Sequence, residues 1–330
     1  MHHLVLDPLL IRSNDTRPTY PSLQSLIVVN MMPERPLCSV VMPAYRMGAY
    51  IGMALRSVAD QTYTGWEVLV VDDHAPDDGT TAIVSAFAQE HPHHRVELIR
   101  HERNQGVSAA RNTAISAAQG ELVAFLDPDD RWLPIHLERM LECLRTKDVV
   151  DVVTGPVETF WEGDGAPAPH VWPIAEWQVR MFPTSLALSN FIQPSASLVR
   201  RSVLLEVGGF DTDPNLQHIE DYDLWIRLVE RGSKFVFLET HTSSYRRHPM
   251  AASHDPARMH GLHDRLYAKH TAFFRNARGK LTTSLMRRVE PLPDELVQLR
   301  ILLNGPVMRC IRSVDRMLRA VARTLRVGKG

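Results

Sequence analysis

Between residues 37 and 150, short apolar runs alternate with amphipathic stretches, and this alternation restricts the chain more than any other feature. Runs 39–42, 68–71, 96–99 and 122–126 are four or five residues long and rich in Val, Leu and Ile. Runs of that length without polar alternation predict strands covered on both faces. Between them, Ile51, Ala54, Leu55 and Val58 fall at i, i+3, i+4 and i+7, the spacing of one helix face. Leu133, Leu137, Met140, Leu141 and Leu144 repeat it behind Pro134, a residue suited to a first helical turn. Four such units predict an α/β fold whose largely parallel sheet is flanked by helices. Beyond residue 154 the pattern loosens around Gly163, Gly165, Pro167, Pro169 and Pro173, then resumes with a strand at 195–200 and a helix at 221–231. Residues 1–36 hold five prolines and no sustained period and read as an irregular arm. The expected division is therefore an arm (1–36), a catalytic domain (37–250) and a helical C-terminal extension (251–330).

In a parallel sheet, ligands bind outside the carboxyl ends of the strands, where the loops converge. Asp72 and Asp73 directly follow one predicted strand, and Asp127, Asp129 and Asp130 another. Carboxylates in that number repel one another unless a cation or hydrogen-bond donors neutralise them, and hard oxygen ligands suit Mg²⁺ or Mn²⁺. The competing reading is that acidic residues after strands only make turns and cap helices, which fits Asp77 and Asp78 beside Gly79 better than Asp129 and Asp130.

Longer motifs surround these carboxylates: SVVMPAYRMGAYIGMALRSVADQTYTGWEVLVVDDHAPDDGT (39–80), RNQGVSAARNTAISAAQGELVAFLDPDDRW (103–132), VRRSVLLEVGGFD (199–211), EDYDLWIRLVERG (220–232) and YRRHP (245–249). In their order and spacing the chain resembles the family 2 glycosyltransferases, which have the GT-A-type nucleotide-sugar fold. The resemblance implies that Pro43, Ala44 and Tyr45 line a base pocket and that Asp73 accepts from a uracil-type base. It implies that Asp72, Asn104 and Arg111 approach the nucleotide. Asp129 and Asp130 then serve the ribose and a metal-bound diphosphate, and Asp221 is the general base, with Glu220 beside it. Two departures bear on donor preference: Arg46 stands where Asn is usual, and His74-Ala75-Pro76 replaces a more usual Gly/Asn-Ser pair.

That chemistry needs these residue types. Breaking the bond to a diphosphate builds charge that a divalent ion held by Asp130 and Asp129 stabilises as a Lewis acid. The acceptor hydroxyl loses a proton as it attacks from the opposite face, and Asp221 accepts it with a pKa raised by burial or by Glu220 and Asp223. A helix N-terminus pulls the other way, so simple capping by Glu220 and Asp221 stays open. His248, after two arginines, is either a third metal ligand or phosphate contact, or a surface residue. Trp132 and Trp225 either border the sugar and acceptor sites or pack in the core. Gly208-Gly209 reads as a turn.

The total charge of -1, from 37 Lys+Arg and 38 Asp+Glu, excludes a nucleic-acid binder with a whole-chain basic excess. It hides two opposed parts: residues 280–330 carry 11 Lys and Arg against 4 Asp and Glu, a net +7, leaving -8 for residues 1–279. Val307, Ile311, Val314, Leu318, Val321 and Leu325 form an apolar stripe opposite Arg309, Arg312, Arg316, Arg319, Arg323 and Arg326. A basic amphipathic helix near 306–327 fits either a peripheral membrane contact or packing on the catalytic domain. Three scattered cysteines give no disulfide framework or zinc site, and no run approaches the ~20 residues of a membrane span. The expectation is a cytoplasmic, metal-dependent, inverting glycosyltransferase moving a sugar from a UDP-sugar to a glycan or lipid-linked acceptor. Its rivals are a nucleotidyltransferase, which would need a Gly-rich basic loop where PAYRMGAY stands, and a catalytically dead nucleotide-sugar-binding scaffold.

Overall fold

The computed structural model describes residues 37–146, 149–162, 166–247 and 256–289. Strands β1 (Cys38–Ala44) and β2 (Trp66–Asp72) are buried along their whole length, which is why their sequences show no polar alternation. With β3 (Val96–Arg100), β4 (Leu122–Phe125), β6 (Val152–Thr154), β9 (Ser197–Arg200) and β10 (Phe235–Phe237) they form a seven-stranded sheet in the order β10-β6-β9-β4-β1-β2-β3. All pairings are parallel except those of β9, which runs antiparallel to both β4 and β6.

Parallel register brings the strand ends level. Ala44 pairs with Asp72, Asp72 with Arg100, and Val41 with Phe125. The carboxylates of the β2 and β4 loops therefore emerge on one edge of the sheet. Helices α1 (Ile51–Ala59), α2 (Thr80–Glu90), α3 (Val107–Ala117) and α4 (His136–Thr146) connect these strands. Helix α1 buries the predicted Ile51, Ala54, Leu55 and Val58, each worth roughly 1.5–3 kcal/mol for the larger side chains. Pro134 lies ahead of α4, which begins two residues later than the sequence suggested.

The region from 155 to 195 is more than a loop. A second, four-stranded sheet runs β5 (Arg131–Trp132), β11 (Ser243–Arg246), β7 (Val157–Phe160), β8 (His170–Trp172) in space, followed by the short helix α5 (Glu176–Arg180) and a 3₁₀ turn at Thr184–Ala187. Helix α6 (Arg201–Glu206) leads through Gly208 and Gly209, both with positive φ, to Phe210. The side-chain amide of Asn112 on α3 grips that turn from both sides: Oδ1 accepts from the Phe210 amide and Nδ2 donates to its carbonyl, each at 2.7 Å.

Helix α7 (Glu220–Arg231) ends at Gly232, whose φ of 91° suits a glycine. Its Trp225 is fully buried and meets Phe125 edge-on, as Phe210 does. Both indoles named as possible site walls are core residues: Trp132 donates to the Ser195 carbonyl and Trp225 to that of Ile192. Helices α8 (Pro256–Lys269) and α9 (Thr271–Val289) follow. Leu262, Leu266, Phe274 and Ala277 belong to the same apolar core as β4 and α7. The basic stripe expected near 306–327 lies outside the described residues. Among the described residues no helix is long and apolar enough to cross a membrane.

Candidate active site

Beyond β1 and β2 the chain closes two loops on each other. Gly48 donates to Asp78 Oδ2 at 2.8 Å, and a Cβ at position 48 would lie 1.9 Å from the Asp78 carbonyl oxygen. Asp77 and Asp78 accept from the amides of Gly79 and Thr80, so they make the turn into α2. Pro43 and Ala44 are buried, while Tyr45 is 40% exposed with the Arg46 guanidinium over its ring.

The two aspartates at the end of β2, Asp72 as its last residue and Asp73 just beyond, are both nearly enclosed but do different work. Asp72 accepts from the Ala75 amide at 2.8 Å and lies 3.5 Å from Arg100 Nε. Asp73 receives His101 Nδ1 and the Gln105 amide on Oδ1 and the Gly106 amide on Oδ2, at 2.7, 2.8 and 2.7 Å. The resemblance gave Asp73 to the base. Three donors from this chain meet its oxygens, and through them the carboxylate fastens the Asn104-Gln105-Gly106 turn at the start of α3. Asn104 donates back to the Asp73 carbonyl and is itself exposed.

Arg111 on α3 ties the two acidic clusters together. One terminal nitrogen donates to Asp127 and the other to Glu220, each at 2.8 Å. Its plane lies 5.1 Å from the Phe210 centroid. Burial works against its charge, but Asp127 and Glu220 outweigh it and hold the guanidinium protonated. Arg111 is thus a buried counter-charge shared between the β4 loop and the start of α7.

In the β4 loop, Asp127 and Asp129 are half-buried and Asp130 is fully enclosed. Asp130 Oδ1 accepts the Arg246 amide at 2.8 Å, and Ser195 also hydrogen-bonds this carboxyl. Its Oδ2 is buried without a partner. Burial first, then the charges of Asp129 and Asp127, push the Asp130 carboxyl well above the usual range. Arg246 also donates from Nε to the Asp129 carbonyl and pairs with Glu162 at 2.5 Å, its guanidinium between the rings of Tyr50 and Phe160. His248 lies outside the described residues.

Across Arg111, helix α7 opens with Glu220 and Asp221. Both Glu220 oxygens are engaged, by Arg111 and by the His218 amide at 2.7 Å. Asp221 is half-buried, accepting from Asn190 Nδ2 at 2.9 Å and from the Tyr222 amide. Burial, reinforced by Glu220 and opposed by Arg111, pushes its carboxyl up to about 7. Asp223 is not among the main causes of that shift. It faces the junction of α8 and α9, where Lys269 and His270, with Arg227 of its own helix, surround it and hold it far below the usual range despite its burial. The sequence pointed to neither Asn190 nor Ser195; a lone Asn or Ser in an irregular stretch carries no spacing signal.

The sheet edge thus carries a trio of aspartates that Arg111 ties to Glu220 at the start of α7, and the next residue, Asp221, is a carboxylate raised to about 7. The family model of glycosyl transferase family 2 matches residues 39–208, a span that includes β1, the β2 carboxylates and the β4 aspartates. The chain belongs to glycosyl transferase family 2. Like the family, it is a glycosyltransferase that uses a nucleotide-sugar donor. It is 32% identical over 198 residues to the putative teichuronic acid biosynthesis glycosyltransferase TuaG of Bacillus subtilis, covering 60% of this chain and 74% of that protein. The fold is similar to that of S. aureus TarS 1-349 solved with UDP, with a TM-score of 0.56 and 19% identity over 81% of this chain and 78% of that one. It is also similar to the mannosyltransferase PcManGT of Pyrobaculum calidifontis solved with GDP-Man and Mn²⁺, with a TM-score of 0.52 and 19% identity over 87% and 86% of the two chains. Membership in this glycosyltransferase family replaces the nucleotidyltransferase reading.

Proposed function

We propose that this family 2 enzyme moves a sugar from a UDP-sugar to a hydroxyl of a glycan or lipid-linked acceptor, with inversion, in assembly of a cell-envelope polysaccharide. The observation that carries the reading is Asp221, a half-buried carboxylate pushed up to about 7, next in sequence to the Glu220 that Arg111 ties to Asp127 of the aspartate trio. A base with a pKa near the working pH combines the correct protonation state with real driving force for proton transfer. Asp221 takes the proton of the acceptor hydroxyl, which attacks the anomeric carbon from the face opposite the diphosphate. Glu220 stays paired to Arg111 and orients the helix start. Pro43, Ala44 and Tyr45, with Asp72 and Asn104, surround the base and ribose, and Asp73 shapes the turn beneath them. The TarS structure with UDP and the name of TuaG support this choice of donor and setting.

The aspartate trio suits a divalent cation, Mn²⁺ or Mg²⁺. Asp130, a buried carboxyl with an orphaned oxygen whose proton affinity burial and the charges of Asp129 and Asp127 raise, is relieved by a cation. Among the described residues no three His, Cys, Asp or Glu side chains are spaced to form a complete cage. Asp127 and Asp129, the half-exposed members, would therefore hold the ion jointly with the donor's diphosphate, and Asp130 would support them from beneath. When bound, the ion supplies Lewis-acid stabilisation of the departing diphosphate. His248 remains a proposed additional ligand, and the 306–327 helix a proposed peripheral membrane contact at the cytoplasmic face.

A thermal-shift screen tests the donor assignment, since a ligand that binds only the native state raises its melting temperature. UDP with Mn²⁺ is expected to give the largest shift. A larger shift with GDP or TDP would reassign the base.

A further inference from the structure

Building on the general-base reading of Asp221, we infer that Asn190 is a positioning residue for this reaction: its side-chain amide holds the Asp221 carboxylate in the orientation from which it takes the acceptor's proton. Asn190 Nδ2 donates to Asp221 Oδ2 at 2.9 Å. The sense of the amide is fixed on its other side, because Asn190 Oδ1 accepts from the Ile192 amide at 3.2 Å. An oxygen committed to an N–H donor leaves only the nitrogen to face the carboxylate. The remaining carboxylate oxygen, Oδ1, accepts from the Tyr222 amide at 2.7 Å. Each oxygen thus has a protein donor, and the side chain does not swing freely.

The segment that carries Asn190 is itself fastened to α7. The Ile192 carbonyl accepts from Trp225 Nε1 at 3.1 Å, and the Leu186 carbonyl accepts from the Tyr222 hydroxyl. Asp221 and Trp225 are four residues apart and share a helix face, so Asn190 and Ile192 clasp two successive turns of that face. Ile192 and Trp225 are fully buried, which makes the clasp rigid. Asn190 is its contact with Asp221. A supporting shell of this kind keeps a reacting group within the small tolerance that proton transfer demands.

The amide also opposes the effect of burial. A donor to a carboxylate favours the ionised form, which is the form a general base needs. Losing it should make Asp221 hold its proton to higher pH. The test follows the carboxyl ¹³C resonance of Asp221 in the full chain labelled at aspartate, identified by its absence from Asp221→Asn, and needs no substrate. In Asn190→Ala the titration midpoint should move up by about one unit from its wild-type value, which lowers the ionised fraction about ten-fold at pH below both midpoints. Asn190→Ser, which keeps a hydroxyl donor, should fall between the two. A midpoint in Asn190→Ala equal to that of the wild type overturns the inference, whatever the melting temperature does. Release of UDP from UDP-glucose by Asp221→Asn separates this from the reading it rests on. Full activity there removes the general base and the positioning role with it, whereas an inactive Asp221→Asn with an unmoved Asn190→Ala midpoint removes the positioning role alone.

Discussion

Arg111 meets Asp127 and Glu220 at equal distance from opposite sides, so its loss is felt in both halves of the crevice. Arg111→Met leaves two carboxylates facing each other without their counter-charge and should destabilise the protein by about 3–5 kcal/mol, read from urea unfolding. Asp221 makes a prediction about pH. Its carboxyl is raised to about 7, and a base works only when ionised, so kcat should climb through an apparent pKa near 7 and level off above it. A profile already flat at pH 5 would contradict the assignment. Several of these residues were visible in the sequence because a parallel sheet brings its strand-end loops together, and Asp72, Asp73, Asp127, Asp129 and Asp130 all lie at or just after strand ends. Their division of labour was hidden. Asp73 is claimed by the amides of Gln105 and Gly106, more than thirty positions away, and Asp130 by that of Arg246. No local pattern reports such partners.

Helix α7 serves two purposes through residues two positions apart. Asp221 meets Asn190, and Asp223 meets Lys269 at the end of α8 and His270 just after it, as a helix rotation of about 200° over two residues allows. The stability consequences have opposite sign. A folded-state pKa raised above the unfolded value means that folding disfavours the charge of Asp221, and stability falls as pH rises from about 4 toward 7. Asp221→Asn should therefore melt no lower than the wild type at pH 8 while losing turnover. Asp223 is held below its unfolded value, so its contribution is present above about pH 4 and lost in acid. Asp223→Asn should lower the melting temperature at pH 8 and expose α8 and α9 to hydrogen exchange. The four main strands and the amphipathic helices were legible because each repeats its pattern over four residues or more. The second sheet was not: β5 and β8 are only two and three residues long, and β7 (VETF) and β11 (SSYR) hold no continuous apolar run.

For the whole chain, near-zero net charge combines an acidic catalytic part with a basic C-terminal segment of net +7 over residues 280–330. If that segment meets a membrane surface, replacing Arg312, Arg316, Arg319 and Arg323 by Glu in the full chain should abolish sedimentation with anionic vesicles at low salt. Unchanged sedimentation would assign the stripe to packing within the protein. The central claim, however, is that this molecule is a working transferase whose base is Asp221. Its most direct test is UDP release from a panel of UDP-sugars with Mn²⁺ at pH 8, comparing wild type with Asp221→Asn and checking by thermal shift that both bind UDP. The account predicts turnover by the wild type and a loss of about 10²–10⁴-fold in the variant, with UDP binding retained. Equal turnover by the two proteins would contradict it.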